Sequence, residues 1–429
     1  MTRFAFVVHP ISTRDVARRY PIAKYAPAWL IEQIIKRKKP VLCSKIEGVR
    51  SITGAETEGW FIACPLTPKQ MLSLPLPFVY KRIIECTELA ASLGADLIGL
   101  GAFTSVVGDG GVTVAKHSPI PVTTGNSYTV ATAIEGTLKA CEAVGICPSQ
   151  ATLAVVGATG SIGKTCAKVL SKRFGKTILV GRDVAKVEAL AAEISEGLVH
   201  EGADCPEFPL PPAPSPRTTH RGEGEPEFPH PPAPSPFAGT NHPENGEGEP
   251  DAPSPIPLPQ TQTIPREGAI IATADMAALR EADAIITVTS SEVDVVMPEH
   301  LKPGCVVCDV ARPRDVSIRV AKERPDVLVI EGGVVRVPGD VKFNFDFGFP
   351  AKTAYACMSE TMMLALEGRP ESFTLGKDVS VAQVEETMRL AEKHGFALDK
   401  FRAFEKVVGD DAIERARAAR MSSGSFEGS

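Results

Sequence analysis

Short apolar runs alternate with amphipathic stretches through the middle of the chain. The run at residues 152–156 ends at a glycine, and the residues after it have helical spacing: Ile162, Cys166, Val169, Leu170 and Phe174. Further apolar runs follow at residues 177–180, 269–273, 284–288, 306–310 and 327–330. Continuous apolar strands that alternate with helices are typical of a parallel sheet covered on both faces. The pattern therefore predicts an α/β fold with a doubly wound parallel sheet.

The segments on either side have their own patterns. Strand-like runs at residues 4–8 and 97–100, with a helical stretch at 81–93 between them, predict a separate N-terminal α/β substrate domain over residues 1–146. The parallel sheet then occupies residues 147–340. Helical spacing at residues 350–367 and 381–394 predicts a C-terminal helical segment over 341–421, and residues 422–429 are predicted to be a disordered tail.

A proline-rich stretch interrupts the parallel-sheet region. Residues 206–265 contain 19 of the 37 prolines and almost no aliphatic periodicity, and a ten-residue string is nearly repeated within them. Such a composition cannot bury enough apolar surface to form a core. We interpret it as a disordered insert without chemistry, although a polyproline ligand has the same composition.

Charge and hydropathy limit the partners. The formal net charge of −6 disfavours nucleic acid or an anionic membrane as the principal partner. No apolar run approaches the ~18 residues that span a bilayer, and the N-terminus lacks the features of a signal peptide. We therefore expect a cytoplasmic protein without integral membrane association; the sequence does not determine its oligomeric state.

Ten cysteines are scattered along the chain, as expected of free thiols in a reducing compartment. Cys305 and Cys308 have zinc-ligand spacing but no second pair, so a buried strand is the favoured interpretation. No metal site can be assigned, even if Mg²⁺ assists phosphate binding.

A glycine-rich loop lies between the first strand and the first helix of the predicted parallel sheet. Glycines at this point let phosphate oxygens approach the backbone, and the helix N-terminus presents free N–H groups to their charge. The context of strand, loop and helix favours a nucleotide-binding Rossmann-like domain over a tight turn. The predicted cofactor-binding residues are Gly157, Thr159, Gly160, Ser161, Ile162 and Gly163.

The end of the second strand bears on the choice of cofactor. An acidic side chain there holds the ribose 2′-hydroxyl of NAD(H), whereas a basic one accommodates the 2′-phosphate of NADP(H). Arg182 occupies the position and Asp183 follows it directly. Because arginine binds phosphate through a bidentate fork, we predict NADPH as the cofactor, with a solvated turn arginine as the alternative.

Cys357 is the candidate nucleophile. On the helix predicted after Pro350 it belongs to a stripe of small and apolar residues: Ala354, Cys357, Met358, Thr361, Met362 and Ala365. Spacing alone favours a buried structural thiol. A catalytic role requires the thiolate, and no adjacent histidine is present to activate it.

The resemblance of several stretches to one known family favours a catalytic Cys357 over a structural one. The chain resembles the cyanobacterial long-chain acyl-[acyl-carrier-protein] reductases at five stretches, which follow one another in the same order as in that family. They are residues 101–105, residues 123–127, the glycine loop, residues 331–335 and residues 350–364. The resemblance covers most of the chain outside the insert and roughly the last 20 residues, and it preserves the order of the motifs. Two departures are the insert after Cys205 and the segment 108–111, which is less apolar than the family's.

The resemblance implies a two-step reduction. The cysteine that matches Cys357 accepts a fatty acyl group from acyl carrier protein, and NADPH then delivers hydride to release a fatty aldehyde. The covalent acyl group becomes an intramolecular reaction partner. Acyl-CoA is an alternative donor. The rival functions are a dehydrogenase of shikimate or amino-acid type that acts directly on a small carbonyl or imine, and a non-catalytic nucleotide sensor.

For the other polar candidates, an ordinary structural role is favoured over a catalytic one. Tyr20 and Lys24 have the spacing of a catalytic Tyr-Lys pair but precede the nucleotide loop, so we interpret them as ordinary helix residues. His9 could be a general acid, but local hydrogen bonding is favoured. Asn126 could polarise a carbonyl, but a helix cap is favoured.

Overall fold

A computed structural model describes residues 1–198, 269–291, 293–345 and 350–424. The predicted disordered insert therefore lies outside the described residues. The strands are β1 Phe4–Val8, β2 Val41–Arg50, β3 Glu56–Ala63, β4 Leu97–Leu100, β5 Val122–Thr123, β6 Thr152–Val156, β7 Lys176–Val180, β8 Ala269–Thr273, β9 Ala284–Thr287, β10 Val306–Asp309, β11 Leu328–Glu331, β12 Val334–Arg336, β13 Gly339–Lys342, β14 Thr353–Tyr355, β15 Ala397–Leu398, β16 Arg402–Ala403 and β17 Lys406–Val407.

The α-helices are α1 Thr13–Arg19, α2 Ala28–Ile35, α3 Pro68–Ser73, α4 Leu76–Ser92, α5 Phe103–Val106, α6 Val112–His117, α7 Asn126–Val144, α8 Ser161–Leu170, α9 Val184–Leu198, α10 Ile318–Glu323, α11 Ala356–Leu366, α12 Val381–His394 and α13 Asp410–Gly424. None of the described helices is long and apolar enough to cross a bilayer. Helix α13 extends into the predicted disordered tail as far as residue 424, and residues 425–429 lie outside the described part.

The second half of the chain builds a six-stranded parallel sheet. Its order is β11-β10-β9-β6-β7-β8, and every pairing is parallel. This is the order of the Rossmann fold, in which the chain starts at the centre and winds outwards in both directions. Successive β6 residues enter two different cores, with Leu153 and Val155 on one face and Ala154 and Val156 on the other. The predicted α/β class and doubly wound sheet are confirmed.

The N-terminal sheet is mixed. Its order is β13-β2-β3-β1-β4-β5, with β2 antiparallel to both of its neighbours and the remaining pairings parallel. Strand β13 joins this sheet from the far end of the chain, so residues 339–342 pair with the N-terminal sheet. The boundaries at 146/147 and 340/341 stay predictions.

Helices α7 and α11 pack against each other, and each of them contacts a different sheet. Helix α7 contacts β10 and α8 of the Rossmann sheet and also α11 and α12, while α11 contacts β1 and β4 of the N-terminal sheet. The approach of α11 is close, since a Cβ on Gly99 of β4 would lie 2.1 Å from Thr361 Oγ1. One hydrophobic core therefore contains Phe6 and Phe61 of the first sheet, Val155 and Ile286 of the second, and Met362 of α11.

Candidate functional site

The glycine loop has the backbone geometry that its sequence predicts. Gly157 has a φ of +81°, a conformation that favours glycine, and its N–H donates to Val180 O at 2.9 Å. A Cβ on Gly163 would lie 2.3 Å from Gly157 O, so only glycine lets α8 approach the end of β6 so closely. The loop is therefore held to β7 by a backbone hydrogen bond and packed against α8 at a position where a side chain does not fit.

The N-terminus of α8 is open. Thr159 and Gly160 are exposed, and Gly160 provides no side-chain cap for the helix. The Ser161 hydroxyl is buried and has no hydrogen-bond partner among the described residues. Free helix N–H groups, an unpartnered hydroxyl and closely packed glycines fit the pyrophosphate of a dinucleotide. The loop is compatible with a nucleotide cofactor.

The two charged residues after β7 have different surroundings. Asp183 accepts a hydrogen bond from Lys186 N–H at 3.3 Å and pairs with Lys186 Nζ at 2.8 Å. Both contacts hold its carboxylate at the first turn of α9. The Lys186 side chain lowers the pKa of Asp183. Arg182 is exposed, and no carboxylate of the described part forms an ion pair with it. The acidic residue is thus occupied locally, and the basic one is available to a ligand.

The helix predicted from Pro350 begins later than expected. Residues Thr353–Tyr355 form β14, which pairs antiparallel with β12, and α11 starts at Ala356. The prediction was wrong because strand pairing, which residue spacing does not reveal, decides the conformation of residues 353–355. Cys357 is consequently the second residue of α11 and not part of a mid-helix stripe. Every residue of α11 from Met358 to Leu366 is buried, which is typical of a helix that is enclosed by protein on all sides.

Cys357 lies directly against the start of α7. A Cβ on Gly125, which has a φ of +72°, would be 2.2 Å from Cys357 Cα. Burial raises the pKa of the Cys357 thiol to about 12, and the charge of Glu360 acts in the same direction. No histidine of the described part forms a hydrogen bond with this thiol. The thiol is therefore protonated at neutral pH in this state.

Asn126 does not cap a helix, contrary to the expectation. The cap of α7 is Gly125, whose left-handed backbone starts the helix without a side-chain hydrogen bond, and Asn126 is the first helical residue. Asn126 is almost fully buried and lines the cavity that also contains Cys357. The sequence pattern Thr-Gly-Asn-Ser did not distinguish these two adjacent positions.

Glu360 is a buried carboxylate that the sequence analysis missed. Its oxygens accept hydrogen bonds from four groups near the start of α7: Thr123 Oγ1 at 2.5 Å, Ser127 Oγ at 2.5 Å, Tyr128 N at 3.1 Å and Thr374 Oγ1 at 2.9 Å. The side chain is completely buried. A single acidic residue within the apolar run of α11 was the available signal, because buried charges are rare unless they are paired or hydrogen-bonded.

A cavity of about 1360 Å³ joins the two sheets. Its wall contains residues at the carboxyl ends of β1 and β4 in the N-terminal sheet and of β9, β10 and β11 in the Rossmann sheet. Ligands of α/β sheets bind at this end of the strands. Cys357 and Ile162 of the glycine loop both line the cavity, whereas Arg182 and the other predicted loop residues lie outside its wall. Most of the wall is aliphatic or aromatic.

His9 lines the cavity but has local hydrogen bonds. Its Nε2 accepts from Phe103 N–H at 3.2 Å, which leaves Nδ1 to donate to Pro10 O at 3.2 Å. Burial lowers the pKa of His9. The favoured structural interpretation thus agrees with the contacts. Tyr20 lies between α1 and the 3₁₀ helix Pro21–Tyr25, so no continuous α-helix joins it to Lys24, and the expectation of ordinary helix residues was wrong in this respect.

A charged network follows β10. The Arg312 guanidinium, which lines the cavity, pairs with Glu331 at 3.2 Å and donates to the Tyr355 hydroxyl at 3.3 Å. Burial raises the pKa of Asp309 to about 6, while its carboxylate accepts from Val316 N–H at 3.1 Å. Cys308 lies within β10 and, like Cys305, is buried, as predicted.

Comparison with known proteins gives distant similarities. No protein-family model matches the chain. It is 28% identical over 404 residues to the aminotransferase PigE of Serratia sp., covering 92% of this chain but only 39% of that protein. It is 24% identical over 398 residues to a long-chain acyl-[acyl-carrier-protein] reductase of Synechococcus elongatus, covering 89% of this chain and 94% of that one.

Among solved structures, a dipicolinate synthase subunit from Bacillus halodurans matches with a TM-score of 0.28 and 12% identity, over 60% of this chain and 62% of the other. Of these proteins, the acyl reductase is the one whose whole length this chain nearly matches. The chain is therefore similar, at low identity and over most of its length, to a cyanobacterial acyl-[acyl-carrier-protein] reductase.

Proposed function

We propose that the chain is an oxidoreductase that reduces a long-chain fatty acyl thioester to the fatty aldehyde through an acyl-enzyme on Cys357, with NADPH as reductant. The observation that carries the proposal is that one cavity is lined both by Cys357 and by a residue of the glycine loop, and that most of its wall is apolar. The similarity to an acyl reductase along nearly its whole length supports the same chemistry. The acyl donor is acyl carrier protein or coenzyme A.

The residues proposed to hold the cofactor are those of the loop and the end of β7. Thr159, Ser161, Ile162 and Gly163 would bind the pyrophosphate through backbone N–H groups and the Ser161 hydroxyl. Gly157 and Gly160, whose own N–H groups bond within the protein, would let the phosphates approach the backbone closely. Arg182 would pair with the 2′-phosphate, since Asp183 is already paired with Lys186. When bound, the reduced nicotinamide would supply the hydride that, with one proton, turns the Cys357 thioester into aldehyde and free thiol.

The first step, transfer of the acyl group to Cys357, needs only the protein and the acyl donor. Cys357 Sγ attacks the carbonyl carbon of the donor thioester, the bond from that carbon to the donor sulfur breaks, and the proton of Cys357 passes to the departing sulfur. The position of Cys357 at the start of α11 aims helix N–H groups at charge that develops nearby. Thioester exchange forms and breaks equivalent bonds, so the step needs orientation more than driving force.

The cavity wall explains how an apolar chain would be held. Its volume exceeds the about 300–1,000 Å³ that is usual for small-molecule pockets. Burying a long acyl chain contributes about 0.8 kcal/mol per methylene group, which favours its retention beside Cys357. In this proposal residues 1–146 are the substrate domain, residues 147–340 the cofactor domain, and residues 341–421 the segment that carries the nucleophile.

One observation favours a second candidate. The raised pKa of Cys357 and the absence of a histidine hydrogen bond to it in the described part would suit a thiol that takes no part in the chemistry. The alternative is a dehydrogenase that passes hydride directly to a small carbonyl or imine, with Arg312 in the cavity wall as a polar group for the substrate.

Intact-protein mass spectrometry separates the two functions. The wild type is incubated with palmitoyl thioesters of acyl carrier protein and of coenzyme A without NADPH, beside Cys357→Ala and Cys43→Ala. Cys43 is a matched control because it is another partly exposed thiol of the same cavity. We expect one acyl adduct in the wild type and in Cys43→Ala, none in Cys357→Ala, and loss of the adduct with aldehyde release when NADPH is added. An adduct on Cys43 only, or none in a protein that binds NADPH, would reject the covalent mechanism.

A further inference from the structure

The segment between β1 and β2 exposes many large apolar side chains. Of the 21 exposed large hydrophobic residues of the described part, six lie between β1 and β2 and two more at the start of β2. The most exposed are Ile22 at 82%, Tyr25 at 90% and Trp29 at 64%. Clustered exposed apolar surface marks a contact site. We name the following residues the N-terminal patch: Tyr20, Ile22, Tyr25, Trp29 and Ile34.

The cavity reaches the surface at this patch. Tyr20, Ile22 and Ile34 are exposed to solvent and also line the cavity that contains Cys357. Each of these side chains therefore belongs both to the inner wall and to the outer surface. An apolar chain that entered between them would pass from the outside to the cavity along continuous apolar surface.

A basic cluster adjoins the patch. Residues 36–39 read Lys-Arg-Lys-Lys, and Arg37, Lys38 and Lys39 are exposed, as is Lys24 within the patch segment. No ion pair joins these four side chains to a carboxylate in the part of the chain that the structure describes. Lys38 and Lys39 also line the cavity. The opening therefore combines uncompensated positive charge with exposed aromatic and aliphatic groups.

We infer that the N-terminal patch and the basic cluster dock on the surface of an anionic lipid bilayer, with the cavity opening towards the lipid. Trp and Tyr side chains are favoured at the interface between lipid and water, and aliphatic side chains enter the acyl boundary. Lysine and arginine keep their charges at the headgroups while their stems lie along apolar surface. The inference rests on the proposed function for the nature of the apolar chain, which is the fatty aldehyde product and would then pass from the cavity to the bilayer without crossing water.

Other occupants fit the surface less well. In a symmetric pair of two copies, the same patch would bring the unpaired cations of both copies together. An acidic protein would satisfy the charges of the basic cluster, but charge alone does not account for the exposed Ile22, Tyr25 and Trp29 side chains, which the interface of a bilayer takes up. The net charge of −6, on which the sequence disfavoured an anionic membrane, describes the whole chain, whereas surface attraction acts within about one Debye length and depends on the local cluster.

Vesicle co-sedimentation of the full chain, without thioester or NADPH, tests the inference. The vesicles contain either phosphatidylcholine alone or a mixture with phosphatidylglycerol. The patch variants are Trp29→Ser and the double variant Lys38→Ala/Lys39→Ala. The matched controls are Ile318→Ser and Lys322→Ala, which change an exposed isoleucine and an exposed lysine on α10. Tryptophan fluorescence adds a second readout, because Trp60 is buried and Trp29 is exposed.

We expect binding to the anionic vesicles with a blue shift of the Trp29 emission. The double lysine variant should lower the partition coefficient about tenfold or more, Trp29→Ser severalfold, and the controls not at all. No binding to anionic vesicles, or equal binding of wild type and both patch variants, would overturn the inference. So would binding of an acidic carrier protein, or dimerisation lost in Trp29→Ser, without affinity for vesicles. Because the assay contains no substrate, its failure is distinct from failure of the proposed reductase.

Discussion

The N-termini of α7 and α8 have similar sequences and opposite surroundings. Both helices follow a Thr-Gly pair and a short parallel strand, with Thr124-Gly125 before α7 and Thr159-Gly160 before α8. At α7 the buried Glu360 carboxylate occupies the helix end, whereas at α8 Thr159 and Gly160 are exposed and the Ser161 hydroxyl has no partner among the described residues. Both ends attract negative charge. The difference teaches that a helix end becomes a candidate ligand site only where the protein itself leaves it open.

Removal of the internal anion at α7 should have the largest effect. Glu360→Ala leaves two threonine hydroxyls, a serine hydroxyl and a backbone N–H without their acceptor, and we expect a loss of about 3–5 kcal/mol in the free energy of unfolding, measured by urea titration. Glu188→Ala, which removes an exposed carboxylate on α9, should change it by about 0.5 kcal/mol or less. Equal stability of the two variants would show that the carboxylate does not hold α7 and α11 together.

A methyl group added at Gly163, near the open end of α8, should strongly weaken nucleotide binding. The Cβ of Gly163→Ala would meet Gly157 O, so the loop must shift, and we expect NADPH affinity measured by calorimetry to fall about 100-fold or more. Gly197→Ala is the matched control, because the Cβ at that helical glycine meets nothing within 4 Å and should stabilise α9 by about 0.5–1 kcal/mol. Unchanged NADPH affinity in Gly163→Ala would remove the loop from the cofactor site.

The choice between NADPH and NADH should depend on Arg182. Loss of one arginine contact with the 2′-phosphate should lower the ratio of NADPH to NADH affinity about 10–100-fold in Arg182→Ala. Lys186→Ala removes a neighbouring cation that is paired with Asp183, and it should leave the ratio within about twofold. A ratio that is unaffected by Arg182→Ala would place the 2′-phosphate elsewhere or favour NAD(H).

Cys357 lies against the start of α7, and the titration of its thiol gives the most gradual effect. Because burial raises the pKa of this thiol to about 12, the thiolate fraction should rise about tenfold per pH unit between about pH 7 and pH 9. Iodoacetamide labelling followed by mass spectrometry should show that slope without a plateau. Glu360→Gln removes the negative charge that acts in the same direction as burial, so it should increase labelling modestly at each pH. A plateau near neutral pH would mean that another group activates the thiol.

Local patterns predicted the Rossmann sheet well. The runs at residues 152–156 and 269–273 became β6 and β8 with the same bounds, and the helix predicted over 381–394 is α12. These elements depend on apolar periodicity and on helix signals near in sequence, such as the Ser380 cap. Residues 353–355 were mispredicted because they pair with β12, about 20 residues away.

The candidate site was only partly predictable. The glycine loop is a local motif, so its residues and conformation follow from a short stretch of chain. Glu360 was missed because its hydroxyl donors, Thr123 and Ser127, lie 237 and 233 residues away in sequence. The N-terminal patch was missed for a related reason, since exposure of an apolar residue is not visible in its sequence neighbours.

By itself the sequence determined the class of fold, the order of most strands along the chain and the position of the glycine loop between the first strand and the first helix of the Rossmann sheet. Those features depend on the alternation of apolar and polar positions and on the glycines of a loop, which are patterns within about ten residues of chain. The tertiary structure alone decided that Cys357 shares a cavity with Ile162, that burial raises the pKa of its thiol, and that Glu360 occupies the start of α7. Shared cavities, burial and the pairing of a buried charge depend on residues distant in sequence, which only folding brings together.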